Sequence, residues 1–215
     1  MKTDDKWRPR EALALERVIA SWQGYEEAGS REARGDMATV RRLYGKSPED
    51  DALAASTAMS LLFKAGLRSD CEAHSADGLT DGERAAVVTL ALYAGVGRNI
   101  RHQDGGLSVG GAMGVIQRQT AASNNGKDNG DMLSVMKSIV AAQDFRSIVW
   151  DVSRALHRLD AGVTVDYAQL ASDLTRVQAE KNRLKVLLSW TGDYWSEALD
   201  FYDHSKNAND NEEEE

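Results

Sequence analysis

The chain has 215 residues, 42% hydrophobic and 28% charged, an ordinary balance for a soluble globular protein with one large core or two small ones. A formal net charge of −8 argues against a freestanding, non-specific DNA binder, and the lone Cys71 excludes an intramolecular disulfide. About half of that charge sits in the tail, where Asp210 and Glu212 to Glu215 outweigh Lys206, so any anion binding must rest on local patches of arginine.

Only two prolines occur, Pro9 and Pro48, β-branched alternation is nearly absent, and Ala, Leu, Glu and Arg abound, so an all-α fold is expected. The longest apolar run, residues 85–96, is too short to span a bilayer and reads as a buried helix. A polar opening from Met1 to Lys6 and the single cysteine lead us to expect a soluble cytoplasmic protein.

Pro9 suits the first turn of a helix, and Leu15, Val18, Ile19 and Trp22 recur at helical spacing to about Gln23. Residues 30–36 read as a polar connection. A short helix follows with Met37, Val40 and Tyr44 on one face, Arg41 and Arg42 flanking that stripe, and Gly45 as its stop. Ser47-Pro-Glu-Asp50 has a capping serine, a first-turn proline and acids near the positive end of a helix dipole. The helix it opens is expected to bury Leu53, Met59, Leu62 and Phe63 and to end near Gly66. The polar loop 67–79 holds Cys71 and His74, neither with a neighbouring ligand pair.

Thr80-Asp-Gly-Glu83 is a capping box that opens the apolar helix. At its far end stand Arg98, Arg101 and His102, followed by Gly105 and Gly106. Cations suit the negative end of a helix, and paired glycines allow left-handed turns. These residues support two readings, a charged helix end with a loop or a basic collar around a phosphate backbone. Ser108 then caps a helix through Met113, Val115 and Ile116, with Arg118 on its polar side. The four-residue glycine spacings between Gly106 and Gly114 suit close helix packing.

Residues 123–130 are eight consecutive polar or turn-forming residues and mark the expected domain boundary. The expected division is an N-terminal helical bundle over 1–122, a linker over 123–130, a C-terminal four-helix bundle over 131–203 and a disordered acidic tail over 204–215. In that bundle Leu133, Met136 and Val140 mark one helix; Phe145, Ile148, Val149, Val152, Leu156 and Leu159 mark the next. On the second helix's other side Arg154 and Arg158 lie one turn apart, with Arg146 two turns before Arg154, and Gly162 ends it. Asp166-Tyr-Ala-Gln169 caps a helix bearing Leu170, Leu174 and Val177. The last helix carries Leu184, Leu187, Leu188, Thr191, Tyr194, Trp195, Ala198 and Phe201.

The chain has no Gly-rich phosphate loop, no Cys-x-x-Cys and no His-Glu-x-x-His pattern. Its four histidines, His74, His102, His157 and His204, lie on separate segments, and no carboxylate falls in an evidently apolar setting. Neither catalysis nor a cofactor is expected.

Three stretches together carry a family resemblance: Met37-Ala-Thr-Val-Arg-Arg-Leu43; Ile100-Arg-His-Gln-Asp104 with Leu107-Ser-Val-Gly-Gly-Ala112; and Val165 to Leu174 with Trp190-Thr-Gly-Asp-Tyr-Trp195. In this order and spacing they resemble CasB, the small subunit of the type I-E CRISPR surveillance complex known as Cascade. The similarity runs from about Arg10 to Tyr202.

The resemblance implies roughly nine helices in two bundles and two copies packed head to tail along the complex, touching its backbone and large subunits. It implies no catalytic role, and contact with guide RNA, target DNA and the displaced strand that stabilises the R-loop. Arginines would hold phosphate oxygens without reading sequence, because base pairing with the guide does the reading.

By residue, Arg41 and Arg42 match the family's basic pair on the short second helix. Arg101 and His102 match its Arg-His-Gln-Asp motif, which Arg98 extends, and Arg154 aligns with a basic pair in the C-terminal bundle. Where relatives begin that bundle with adjacent arginines this chain has Asp131-Met-Leu133, and Lys137 one turn later stands in for them. The family's tryptophan after Asp173-Leu174 is also missing, Arg176 and Val177 standing there. With Arg118, Arg146 and Arg158 these residues form the expected nucleic-acid contact set. The alternatives are a helical protein–protein adaptor with solvated arginines, and a metal hydrolase in which His102 and His157 would meet carboxylates in a pocket.

Overall fold

A computed structural model of the chain describes residues 9–28, 31–67, 78–96, 100–123, 131–159 and 162–209. Among them are nine α-helices: α1 (Arg10–Ala28), α2 (Arg31–Val40), α3 (Ala52–Lys64), α4 (Asp81–Val96), α5 (Val109–Ser123), α6 (Asp131–Ala141), α7 (Phe145–His157), α8 (Tyr167–Gln178) and α9 (Glu180–Asn209). One extended segment, β1 (His102–Leu107), and two 3-10 turns, Arg41–Leu43 and Pro48–Asp50, complete the set. The fold is all-α. No helix among the described residues is long and apolar enough to cross a membrane.

The fold is organised around α4. Nearly every side chain from Ala85 to Val96 is buried, as an all-round apolar helix requires. Its start is the expected capping box: Glu83 N–H donates to the Thr80 hydroxyl at 3.2 Å, and Thr80 N–H donates to the Glu83 carboxylate at 2.9 Å. Near its C-terminal end Tyr93 stacks on Trp22 of α1 (ring centroids 6.2 Å apart) and meets Tyr167 of α8 edge-on at 5.2 Å. One continuous buried core therefore joins residues from both halves, from Ala14 to Ala198. The expected linker falls almost wholly on 124–130, which, like Arg98, Cys71 and His74, lies outside the described residues.

The second half adds its own caps. Asp144 caps α7 by accepting from Ser147 N–H at 2.8 Å, and Asp166 caps α8 by accepting from Gln169 N–H at 2.9 Å. Helix α5 lies along α9, and glycine makes that approach possible. A Cβ on Gly110 would overlap the Trp190 carbonyl, and one on Gly114 the Tyr194 carbonyl.

Five local expectations are corrected. Residues 31–36 continue as helix in α2. The Ser47 signature forms only a 3-10 turn, while Asp51 caps α3 through Ala54 N–H at 3.1 Å. On α3 the buried stripe is Ala54, Ala58, Met59 and Leu62, leaving Leu53 and Phe63 exposed. On α9 it is Val186, Leu187, Trp190, Tyr194 and Ala198, so Leu184, Leu188 and Trp195 face outward with Leu199. Val140 on α6 is also exposed.

The glycine run after α4 is extended rather than purely loop. Val165 N–H donates to the Arg101 carbonyl at 3.1 Å, and Leu107 N–H to the Thr164 carbonyl at 3.2 Å. Both ends of β1 thus close on Val165, with Gly105 at φ +67° turning the chain between them. The final helix continues past Tyr202 to Asn209.

Candidate nucleic-acid interface

Helix α7 has two faces of opposite chemistry. Ile148, Val149, Val152 and Leu156 are buried. Arg146, Trp150, Arg154 and Arg158 follow at intervals of four residues along the other side, and all are exposed. The arginine side chains are 69% exposed at position 146 and 42% at 154, and Trp150 is 56% exposed, so their polar and aromatic ends are open to a ligand.

The turn bearing Arg41 and Arg42 packs against this helix. Tyr44 donates its hydroxyl proton to the Ser153 carbonyl at 2.5 Å, and its burial pushes the phenol pKa up to about 12. Gly45, at φ +69°, lets the chain turn there; a Cβ on it would stand 2.8 Å from Ser153 Oγ and 3.2 Å from Trp150 Cε3. Arg41 Nε donates to the Ala94 carbonyl at 2.8 Å, in the last turn of α4, where a cation complements the helix dipole.

Three carboxylates hold the neighbouring guanidinium groups in place. Arg42 lies 2.8 Å from Asp51, Arg146 3.1 Å from Asp50, and Arg84 2.7 Å from Glu49. Arg154 reaches Asp151 at 3.0 Å, and Asp151 also accepts from the Ser138 hydroxyl at 3.0 Å. Lys137, exposed on α6, immediately precedes Ser138. Over residues 41–51 and 145–158, six Lys and Arg side chains accompany four carboxylates, a positive balance within a chain of net −8. Each pair uses part of its guanidinium, and a planar group with five donors has others to offer.

The remaining expected residues are placed differently. Arg118 on α5 stands 3.9 Å from Glu197 on α9. Arg101 is exposed at the entry to β1. His102 turns inward: its side chain is only 6% exposed, and both ring nitrogens face protein groups. Nδ1 accepts from Tyr167 N–H at 3.3 Å, while Nε2 lies 3.8 Å from the Glu16 carboxylate. The imidazole ties β1 to α8 and α1, with the chain entering β1 beside Tyr167.

Sequence periodicity missed two features. Trp150 escaped because helical spacing singles out the buried stripe, and an exposed aromatic breaks no rule. Asp173 escaped because its apolar setting is tertiary. Burial raises its pKa, although Trp190 Nε1 donates to it at 2.9 Å and Gln169 Nε2 at 3.0 Å. Among the described residues no three His, Cys, Asp or Glu side chains are grouped so as to hold a metal ion.

Helical proteins of this architecture are already known among CRISPR-associated structures. CasB from Thermobifida fusca is similar with a TM-score of 0.62 and 16% identity, over 87% of this chain and 99% of its own. A Cse2-family CRISPR-associated protein from Thermus thermophilus gives 0.57 and 19%, over 88% and 99%. A chain of a CRISPR RNA-guided surveillance complex gives 0.59 and 18%, over 91% and 98%. No curated protein matches the chain.

The family model for CRISPR-associated protein Cse2 matches residues 36–195, most of the length. The chain belongs to the Cse2 family.

Proposed function

We propose that this protein is a non-catalytic, cofactor-free small subunit of an RNA-guided CRISPR surveillance complex of the Cascade type, working in the cytoplasm. Its partners in this reading are the backbone and large subunits, a second copy of itself packed head to tail, and the guide RNA with its target DNA. The observation that carries the reading is the cationic face on α7 and the adjoining turn: Arg146 and Arg154 expose their side chains one helical turn to either side of Trp150, and Arg42 is exposed on the turn packed against that helix, in an otherwise acidic chain. Family membership and the fold shared with a chain of a solved surveillance complex support it.

The physical role is electrostatic. Opening a duplex against a guide is a near-balanced exchange of base pairs, so a few phosphate contacts shift it without reading sequence. Arg41, Lys137 and Arg158 extend the face, and Arg101 at the entry to β1 and Arg118 on α5 are further cations of the contact set, away from α7. An acidic body suits a subunit whose location is fixed by protein partners, since it need not capture DNA alone. The test replaces Arg146 and Arg154 with alanine and measures target binding by the assembled complex at several salt concentrations. Weakened binding with normal assembly is expected; unchanged binding at every salt concentration removes the assignment.

A second reading, a protein–protein adaptor without nucleic-acid contact, draws on the exposed row Leu184, Leu188, Trp195 and Leu199 of α9. It requires that the arginine replacements leave binding intact while charged substitutions in that row abolish assembly.

A further inference from the structure

We propose that Trp150 is a stacking platform for an unpaired base, which makes single-stranded nucleic acid the ligand of the α7 face. The inference rests on the reading that this face binds nucleic acid and adds which form it binds.

A tryptophan that is 56% exposed leaves a large apolar ring in water, on a helix whose other apolar residues are buried or, at Phe145, half-buried against the core. The ring is also braced. Its Cε3 lies against the Gly45 backbone, 3.2 Å from where a Cβ would be, so the absence of a side chain there lets the indole edge seat on the turn. Braced aromatics lose little freedom on binding, which favours stacking over a flexible contact.

The flanking charge selects the occupant. Arg146 and Arg154 stand one turn to either side, about 12 Å apart along the helix, with Trp150 midway. They are too far apart to share one phosphate, and they bracket one base with phosphates on both sides. Aromatic rings interleaved with cations are the recognition chemistry of single strands, because every base has a π face. Bases inside a duplex are already stacked and cannot offer that face to the ring. An acidic or apolar peptide would satisfy the arginines or the indole, but not the alternation of the two.

The experiment titrates the full chain at low salt with a short oligothymidylate and with an abasic oligonucleotide of equal length. Trp150→Ala is expected to weaken oligothymidylate binding at least about fivefold while leaving abasic binding unchanged. Trp150→Phe should keep most of the affinity yet lose the part of the fluorescence quenching due to the indole. If Trp150→Ala binds both oligonucleotides like the parent while Arg146→Ala weakens both, stacking is wrong and the phosphate-binding face stands. If the parent chain binds neither oligonucleotide at low salt, the stacking proposal is overturned, while target binding by the assembled complex still decides the phosphate-binding reading. Should Trp150→Ala spare oligonucleotides but impair assembly of the complex, the ring is a protein anchor and the proposal is overturned.

Discussion

Arg146 of α7 reaches Asp50, in the 3-10 turn before α3, at 3.1 Å across 96 residues of sequence. The contact links the two halves of the chain at the edge of the cationic face. Both partners are solvent-accessible, so the pair contributes at most about 1 kcal/mol. Its importance is electrostatic. Asp50 also accepts from Ser47 N–H at 3.0 Å, and an asparagine can keep that bond. Asp50→Asn is therefore expected to leave the melting temperature within a few degrees of the parent while tightening binding to single-stranded DNA. Calorimetry and a binding titration at low salt check the two halves of this expectation.

Close packing of α5 on α9 gives a contrast within one helix. Gly110→Ala would drive a methyl group into the Trp190 carbonyl, a backbone atom that cannot step aside. Overpacking of this kind costs roughly 1–3 kcal/mol or more, read as a lower urea midpoint. Gly111→Ala places its methyl 3.5 Å from Leu107 Cδ2, an ordinary contact. It is expected to stabilise the chain by up to about 1 kcal/mol through helix propensity.

Asp173 yields a pH-dependent expectation. Burial raises its folded-state pKa above the ordinary aspartate range, so the folded state holds its proton more tightly than the unfolded chain. Stability from this group is therefore greatest at low pH and declines as pH rises through the unfolded and then the folded pKa. Asp173→Asn should flatten that decline in urea unfolding measured over pH, because an amide oxygen can still accept from Trp190. Asp173→Ala leaves the buried indole N–H unpaired and is expected to cost roughly 1–3 kcal/mol.

Tyr44 is the brace behind the cationic turn. Its hydroxyl bonds the Ser153 carbonyl, and its ring fills the space beside Gly95 that any side chain there would need. Tyr44→Phe is expected to lower stability by about 1 kcal/mol, the contribution of one hydrogen bond, with the ring packing kept. Gly95→Ala should do greater damage, visible as a larger drop in melting temperature.

The sequence makes the scaffold legible where a cap or a sharply one-sided helix specifies it. Thr80 to Glu83, Asp166 and the α7 spacing all carry over into the structure, because their interactions lie within a few residues. It misleads where apolar residues encircle a helix. On α9 two stripes compete, and tertiary packing around Trp190 selects the one that leaves Leu184 and Leu188 outside. On α3 small alanines form the buried stripe, leaving the larger Leu53 and Phe63 at the surface. The strand-like closure of β1 depends on Val165, some sixty residues away, and no local pattern announces such a pairing. For the candidate site, Arg42, Arg146 and Arg154 could be named from sequence, whereas the inward turn of His102 and the exposure of Trp150 are properties of the folded surface alone.

The decisive measurement is the salt dependence of single-stranded DNA binding by the full chain, compared with an Arg146→Ala, Arg154→Ala double variant. Each lost phosphate contact on a single strand reduces the log–log slope by about 0.7, so a fall of about 1.4 is expected for the pair. Arg118→Ala, beside Glu197 rather than on α7, serves as the comparison and should change the slope less. A double variant with the slope and affinity of the parent would mean that the α7 face does not meet nucleic acid.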